Sequence, residues 1–131
     1  MRSSLFHAML LACASSGCAT LAPDRMAESL PAAEGTPVGL GKAVEVGLFA
    51  AEPLEIVEDS RCPVDAQCVW RGRLIVRTAL AHDTRSDVMD LTLGEPVTWE
   101  GAQIVLASAT PDKRSEDAID PSDYRFVYER R

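Results

Sequence analysis

Histidine is nearly missing from this chain, with two in 131 residues, His7 and His82. His7 falls in a leader expected to be removed, so a Ser-His-Asp triad would have to be built on His82, Asp83 and scattered serines, with no G-x-S-x-G to place a nucleophile. A solvated loop histidine is the plainer reading of His82. Basic residues are the minority, 13 Lys and Arg against 20 Asp and Glu, a formal net charge of -7. Non-specific nucleic-acid affinity comes mainly from neutralising phosphates with Lys and Arg, so no nucleic-acid partner is expected. Glycine-rich phosphate loops are missing, and the acidic residues between 112 and 123 lack the D-x-D-x-D-G spacing of a calcium loop. The carboxylates of Glu55, Glu58, Asp59 and Asp65 are the clustering any acidic protein shows, rather than a general acid-base pair. No cofactor, metal or catalytic residue is expected. Long hydrophobic runs are missing too: the apolar stretch from Leu5 to Ala14 is half of the roughly 20 residues a membrane span requires.

That stretch belongs to the opening "MRSSLFHAMLLACASSGC", which has a charged start at Arg2, an apolar middle, and small residues from Ala14 to Gly17 before Cys18. This is the pattern of an export signal, and residues 1–17 are expected to be cut away. The context "SSGCAT" resembles the lipobox of bacterial lipoproteins. The resemblance implies a lipid on Cys18 and a membrane anchor, and, because Ala19 follows the cysteine, sorting to the outer membrane with the domain facing the periplasm. Two alternatives stand beside it: Cys13 in "LLAC" as the lipid site, and an ordinary signal peptide with no lipid, which would leave the protein secreted.

Residues 18–36 are rich in Ala, Pro and small polar groups and carry no sustained apolar period, so they are expected to be a flexible tether. Its reach is on the order of 20 to 25 Å. From residue 37 to 131 the pattern changes to alternation with a period of two, the signature of half-buried strands. Val44, Val46 and Leu48 share one face. Cys68, Trp70, Leu74, Val76 and Leu80 fall on one side of the clearest strand, and Arg71, Arg73 and Arg77 on the other. Met89, Leu91 and Leu93, then Tyr124, Phe126 and Tyr128, repeat the theme. About seven short strands at this spacing predict an all-β domain, an antiparallel β-sandwich or small barrel. Residues 111–123 are expected to be the longest loop.

In an oxidising compartment, with Cys13 removed and Cys18 lipidated, Cys62 and Cys68 remain to pair with each other. A zinc site is disfavoured, because C-x5-C lacks the usual two-to-four-residue ligand spacing. The expected disulfide staples a turn, with Trp70 packing beside it in the core and Gly72 marking a bulge or a close backbone approach. Asp59 or Ser60 is expected to cap the turn, with Arg61 held by Glu58 or Asp59. The run Asp59-Ser60-Arg61-Cys62-Pro63, followed by Cys68-x-Trp70-x-Gly72, resembles a group of small exported bacterial proteins of unknown function. That resemblance implies a β fold and export, and no activity.

Two features carry a binding hypothesis. Arg71, Arg73 and Arg77 form a candidate interaction surface for a carboxylate-bearing partner, although pairing with Glu45, Glu55 or Asp90 across the sheet is the stronger expectation. The 111–123 loop is a candidate plug for an enzyme cleft. The function expected is therefore a non-catalytic binding module of the cell envelope with an envelope protein as partner. A small inhibitor of an envelope-directed enzyme is the alternative, and a hydrolase ranks below both. The lipid assignment is testable directly: Cys18→Ser should move the protein from the membrane to the soluble periplasmic fraction, whereas Cys13→Ser should leave it bound.

Overall fold

Seven antiparallel strands arise where the alternation is strongest. In the computed structural model, which describes residues 30–131, they are β1 (Val44–Val46), β2 (Phe49–Asp59), β3 (Leu74–His82), β4 (Arg85–Thr92), β5 (Pro96–Trp99), β6 (Ala102–Thr110) and β7 (Arg125–Arg130). The expected leader, Cys18 and the tether as far as residue 29 lie outside the described residues. The strands form two sheets, β1-β2-β3-β4 and β5-β6-β7, with every neighbouring pair antiparallel. The domain is thus a two-sheet, sandwich-like arrangement, and the two sheets do not close into a barrel.

Period-two patterning places one face of each strand in the core. Val44, Val46, Leu74, Val76, Leu80 and Leu91 from the first sheet meet Ile104, Leu106, Phe126 and Tyr128 from the second, all fully buried. The inward alignment of Tyr124, Phe126 and Tyr128 holds. One polar pair crosses this core, the Thr78 and Tyr128 hydroxyls at 2.9 Å. A buried hydroxyl without a partner would lose about 1–3 kcal/mol, and each here supplies the other.

Two-residue turns gather at one end of the domain, at Gly47-Leu48, Asp83-Thr84 and Glu100-Gly101. Positive φ at Gly47, Asp83, Glu100 and Gly101 gives these hairpins the twist that matches their strands. Leu48 sits in the first of them and is 75% exposed, so it does not continue the face of Val44 and Val46 as the alternation predicted. Phe49 takes its place in the core. The long connections, residues 60–73 and 111–124, lie at the opposite end.

Residues 30–43, before β1, are part of the fold. Ala32 pairs with Val44 on β1 and Val38 with Phe126 on β7, so one strap hydrogen-bonds to an edge of each sheet. Glu34 accepts a hydrogen bond from the Gly47 amide. Edge strands expose unpaired N–H and C=O groups, and the strap satisfies some of those of β1 and β7. Ordered structure therefore begins before residue 37, the start expected from composition.

The clearest sequence strand is also shorter than expected. β3 begins at Leu74 rather than Cys68, and Trp70 is 83% exposed. The cause is Gly72, whose φ of +65° breaks the two-residue alternation, so that residues before it no longer share the inward side of Leu74 and Val76. A Cβ on Gly72 would stand 1.7 Å from the Ser60 carbonyl oxygen. Gly101 has a similar φ of +77° with open space around it. Gly101→Ala should therefore cost about 1–2 kcal/mol from backbone conformation alone, and Gly72→Ala should cost well over that, because backbone must also move. Urea denaturation of the two variants measures the difference.

Candidate interaction site at the stapled loop end

The β2–β3 hairpin does not stop where its strands do. Past Asp59 the ladder continues irregularly: Ser60 N donates to the Arg73 carbonyl (2.8 Å), Arg73 N to Ser60 Oγ (3.1 Å), and Cys62 N to the Arg71 carbonyl (2.9 Å). Gly72 lets the two chains approach this closely. Pro63 then opens a tight turn closed by Ala66 N donating to the Pro63 carbonyl, and Cys62 and Cys68 are bonded across it with Cα atoms 5.9 Å apart. The expected disulfide is present. Closing so short a loop stabilises the fold by about 2 kcal/mol in the chain-entropy picture.

Beneath this loop lies Asp59, at the end of β2. Its carboxylate accepts from Arg61 N (3.2 Å), Arg61 Nε (2.9 Å), Arg61 Nη2 (2.8 Å) and the Tyr124 hydroxyl (2.6 Å), and its carbonyl accepts from Lys113 Nζ (2.8 Å). Of the two anchors expected for Arg61, the structure selects Asp59. The Arg61–Asp59 pair is forked and largely out of solvent, with side-chain exposures of 14% and 10%. Arg61 also donates to the Ala109 and Pro111 carbonyls and lies over the Tyr124 ring at 5.9 Å. Burial opposes ionisation of Asp59, but the bonds from Arg61 and Tyr124 outweigh it and hold the carboxyl at about 2. Burial and the bond to that carboxylate push the Tyr124 hydroxyl up to about 12.

The 111–124 connection is fastened to the same platform. Val64 N donates to the Lys113 carbonyl (2.9 Å), and Asp65 Oδ1 accepts from Ser115 N (2.9 Å) and Ser115 Oγ (3.0 Å). Asp120 caps the 3₁₀ turn Pro121–Asp123 by accepting from Ser122 N. The loop read as a candidate plug is therefore tied to the disulfide loop through Lys113 and Ser115 near its start.

The arginine stripe divides. Arg77 sits between Glu55 (3.1 Å) and Asp90 (3.0 Å), the pairing expected across the sheet, and Arg73 pairs with Glu58 (2.9 Å). The Arg73 hydrogen bond lowers the Glu58 pKa. These are exposed pairs of small net energy. Arg71 lies before β3 in the loop and has no ion-pair partner among the described residues. Beside it, in the same loop, Val64, Val69 and Trp70 are 58%, 95% and 83% exposed. Alternation assigned Trp70 to the core and so missed this apolar tip. The available signal was the adjacent pair Val69-Trp70, which no alternating strand can bury on one face. His82 is elsewhere, at the hairpin end, edge-on to Phe49 with ring centroids 4.9 Å apart.

No family model matches the chain, and no curated protein or solved structure was found to be similar to it.

Two kinds of residue at this end should separate cleanly in denaturation experiments. Trp70→Ala should change stability by less than about 0.5 kcal/mol, as surface substitutions do. Asp59→Ala should cost about 3 kcal/mol, because it leaves the enclosed Arg61 charge unpaired. Asp59 ionises more readily folded than unfolded, so its contribution of no more than about 2 kcal/mol should be complete above pH 3.8, its ordinary value, and vanish as pH falls to about 2. Tyr124 works in the opposite sense: its contribution is complete below pH 10 and is lost as pH climbs toward about 12.

Proposed function

We propose that this chain is a non-catalytic interaction module of the cell envelope, anchored through a lipid on Cys18 and facing the periplasm from the outer membrane. Its recognition surface, in this reading, is the tip of the stapled loop. The observation that carries the proposal is the exposure of Trp70 on a short stretch of backbone held on either side, by the Cys62–Cys68 disulfide before it and by the bond from the Cys62 amide to the Arg71 carbonyl after it. Tryptophan and arginine are enriched among residues that dominate interface energies, and three large apolar side chains exposed in one loop, Val64, Val69 and Trp70, depart from ordinary burial. A leader of residues 1–17 cut just before Cys18 and an intramolecular disulfide both fit an exported, oxidised location. Held-down backbone also lowers the ordering cost of association.

A small inhibitor of an envelope-directed enzyme is the second reading, favoured by the same exposed loop. The projecting element would then be residues 63–70, with the 111–123 loop as support. Both readings place the contact at Trp70. A tagged exported chain should retain a protein partner from envelope extract, and Trp70→Ala should reduce that retention at least about tenfold, equivalent to about 1.4 kcal/mol or more. Val88→Ala, at a 59% exposed position on β4, should retain it fully. Equal retention by the Trp70→Ala protein would remove the loop tip as the recognition surface.

A further inference from the structure

The charges of residues 58–73 are almost completely spent within the molecule. Glu58 is bound by Arg73 and the Ser60 hydroxyl, Asp59 by Arg61 and Tyr124, and Asp65 by Ser115. Arg61 and Arg73 are the cations of those pairs. Arg71 is the one ionised side chain of this segment with neither an ion-pair nor a hydrogen-bond partner among the described residues, and it immediately follows the exposed Val69 and Trp70.

We propose that Arg71 is the ionic half of a two-part grip, and that the partner is a protein whose apolar cleft, filled by Trp70 and Val69, carries a carboxylate on its rim. This rests on the reading of the loop tip as the recognition surface and adds the chemistry of what it meets. Arg73 already gives its Nε and Nη2 to Glu58, and Arg77 its guanidinium to both Glu55 and Asp90, so an outside carboxylate would have to share or displace those bonds. Arg71 gives up no such bond. Its guanidinium is free to make a forked pair, and its carbonyl is already fixed by the Cys62 amide, so the backbone that positions it is set before the encounter.

Charge also sets direction. The chain as a whole carries -7, so an acidic partner is repelled by most of the surface and meets an uncommitted cation at the tip, which orients the complex more than it tightens it. An anionic lipid surface fits less well: the neighbouring connection brings Asp112, Glu116 and Asp117 against Lys113 and Arg114 to the same end, leaving no cationic field broad enough to hold a headgroup layer.

The test places a photo-crosslinking amino acid at position 69, 95% exposed in the wild type, in the full-length chain in cells. The expected result is a crosslink to a larger protein that falls at least about tenfold with Arg71→Glu, partly with Arg71→Lys, and less than about twofold with Arg73→Glu. Circular dichroism on each purified variant confirms the fold. In extract, raising sodium chloride from about 50 mM to about 500 mM should weaken the wild-type crosslink but not the residual Arg71→Gln crosslink, which has no ion pair to lose and from which screening removes only repulsion. If Arg71→Glu crosslinks as well as wild type while Trp70→Ala does not, the acidic rim is wrong and the interaction surface stands. If the wild type crosslinks to nothing, to lipid or to a second copy of itself, both are overturned. A blue shift of tryptophan emission on adding phosphatidylglycerol vesicles also overturns both: Trp99 is buried and bonded to Asp87, so such a shift would come from Trp70 entering a bilayer.

Discussion

The Asp59 carboxylate is the constraint from which the loop end of this molecule is built. It ends β2 in one sheet, receives the hydroxyl of Tyr124 at the entrance to β7 in the other, and fixes Arg61, whose guanidinium reaches the carbonyls that end β6 and begin the 111–124 connection. A single anion therefore joins two sheets and both long connections. Such an arrangement is stable only when each polar group is satisfied, because a half-satisfied buried network costs more than an apolar one. Among the described residues no buried side-chain polar atom lacks a partner.

The energy of the fold and the shape of the loop end are separable for this reason. Burial of Leu74, Val76, Leu80, Leu91, Ile104, Leu106, Phe126 and Tyr128 between the sheets supplies the driving force. Trp70 contributes nothing to it. The disulfide, the Asp59 network and the Gly72 approach act instead on loop geometry, and they do so with side chains that, Tyr124 apart, the core does not use. Substitutions at the tip can thus alter a surface without a toll on folding, which is the property expected of a recognition loop on a rigid scaffold.

What could be read from the sequence followed period-two alternation wherever the backbone stayed extended. Val76 and Leu80, Leu91, and the Tyr124-Phe126-Tyr128 series declared their inward faces, and Cys62 and Cys68 declared their pairing. The reading failed where a left-handed glycine resets the parity. Gly47 turned Leu48 out, and Gly72 turned Trp70 out, and neither φ is visible in a hydrophobicity pattern. It failed again where hydrogen bonds connect residues distant in sequence: nothing in the composition of residues 30–38 announces that Ala32 and Val38 pair with edges of different sheets, and Tyr124 lies 65 positions from the Asp59 it binds. The arginine stripe was legible as a set and not as individuals, because the fate of each member depends on which carboxylates the register places across from it.

That register explains why Arg71 differs from its neighbours. Arg77 stands opposite Glu55 on β2 and Asp90 on β4, so a central position in the sheet surrounds it with partners on both sides. Arg73, at the sheet margin, finds Glu58 alone. Two residues earlier the chain has left the sheet, and the strand across from Arg71 has become the turn at Cys62 and Pro63, which offers an amide and no carboxylate. Moving outward along the stripe, the number of carboxylate partners falls from two to one to none. The uncommitted cation is therefore a consequence of where the sheet ends, and it lies next to the residue that the left-handed Gly72 turns out of the core. One backbone irregularity and one sheet boundary, two residues apart, together place an exposed indole and a guanidinium unpaired among the described residues at consecutive positions just past the disulfide loop.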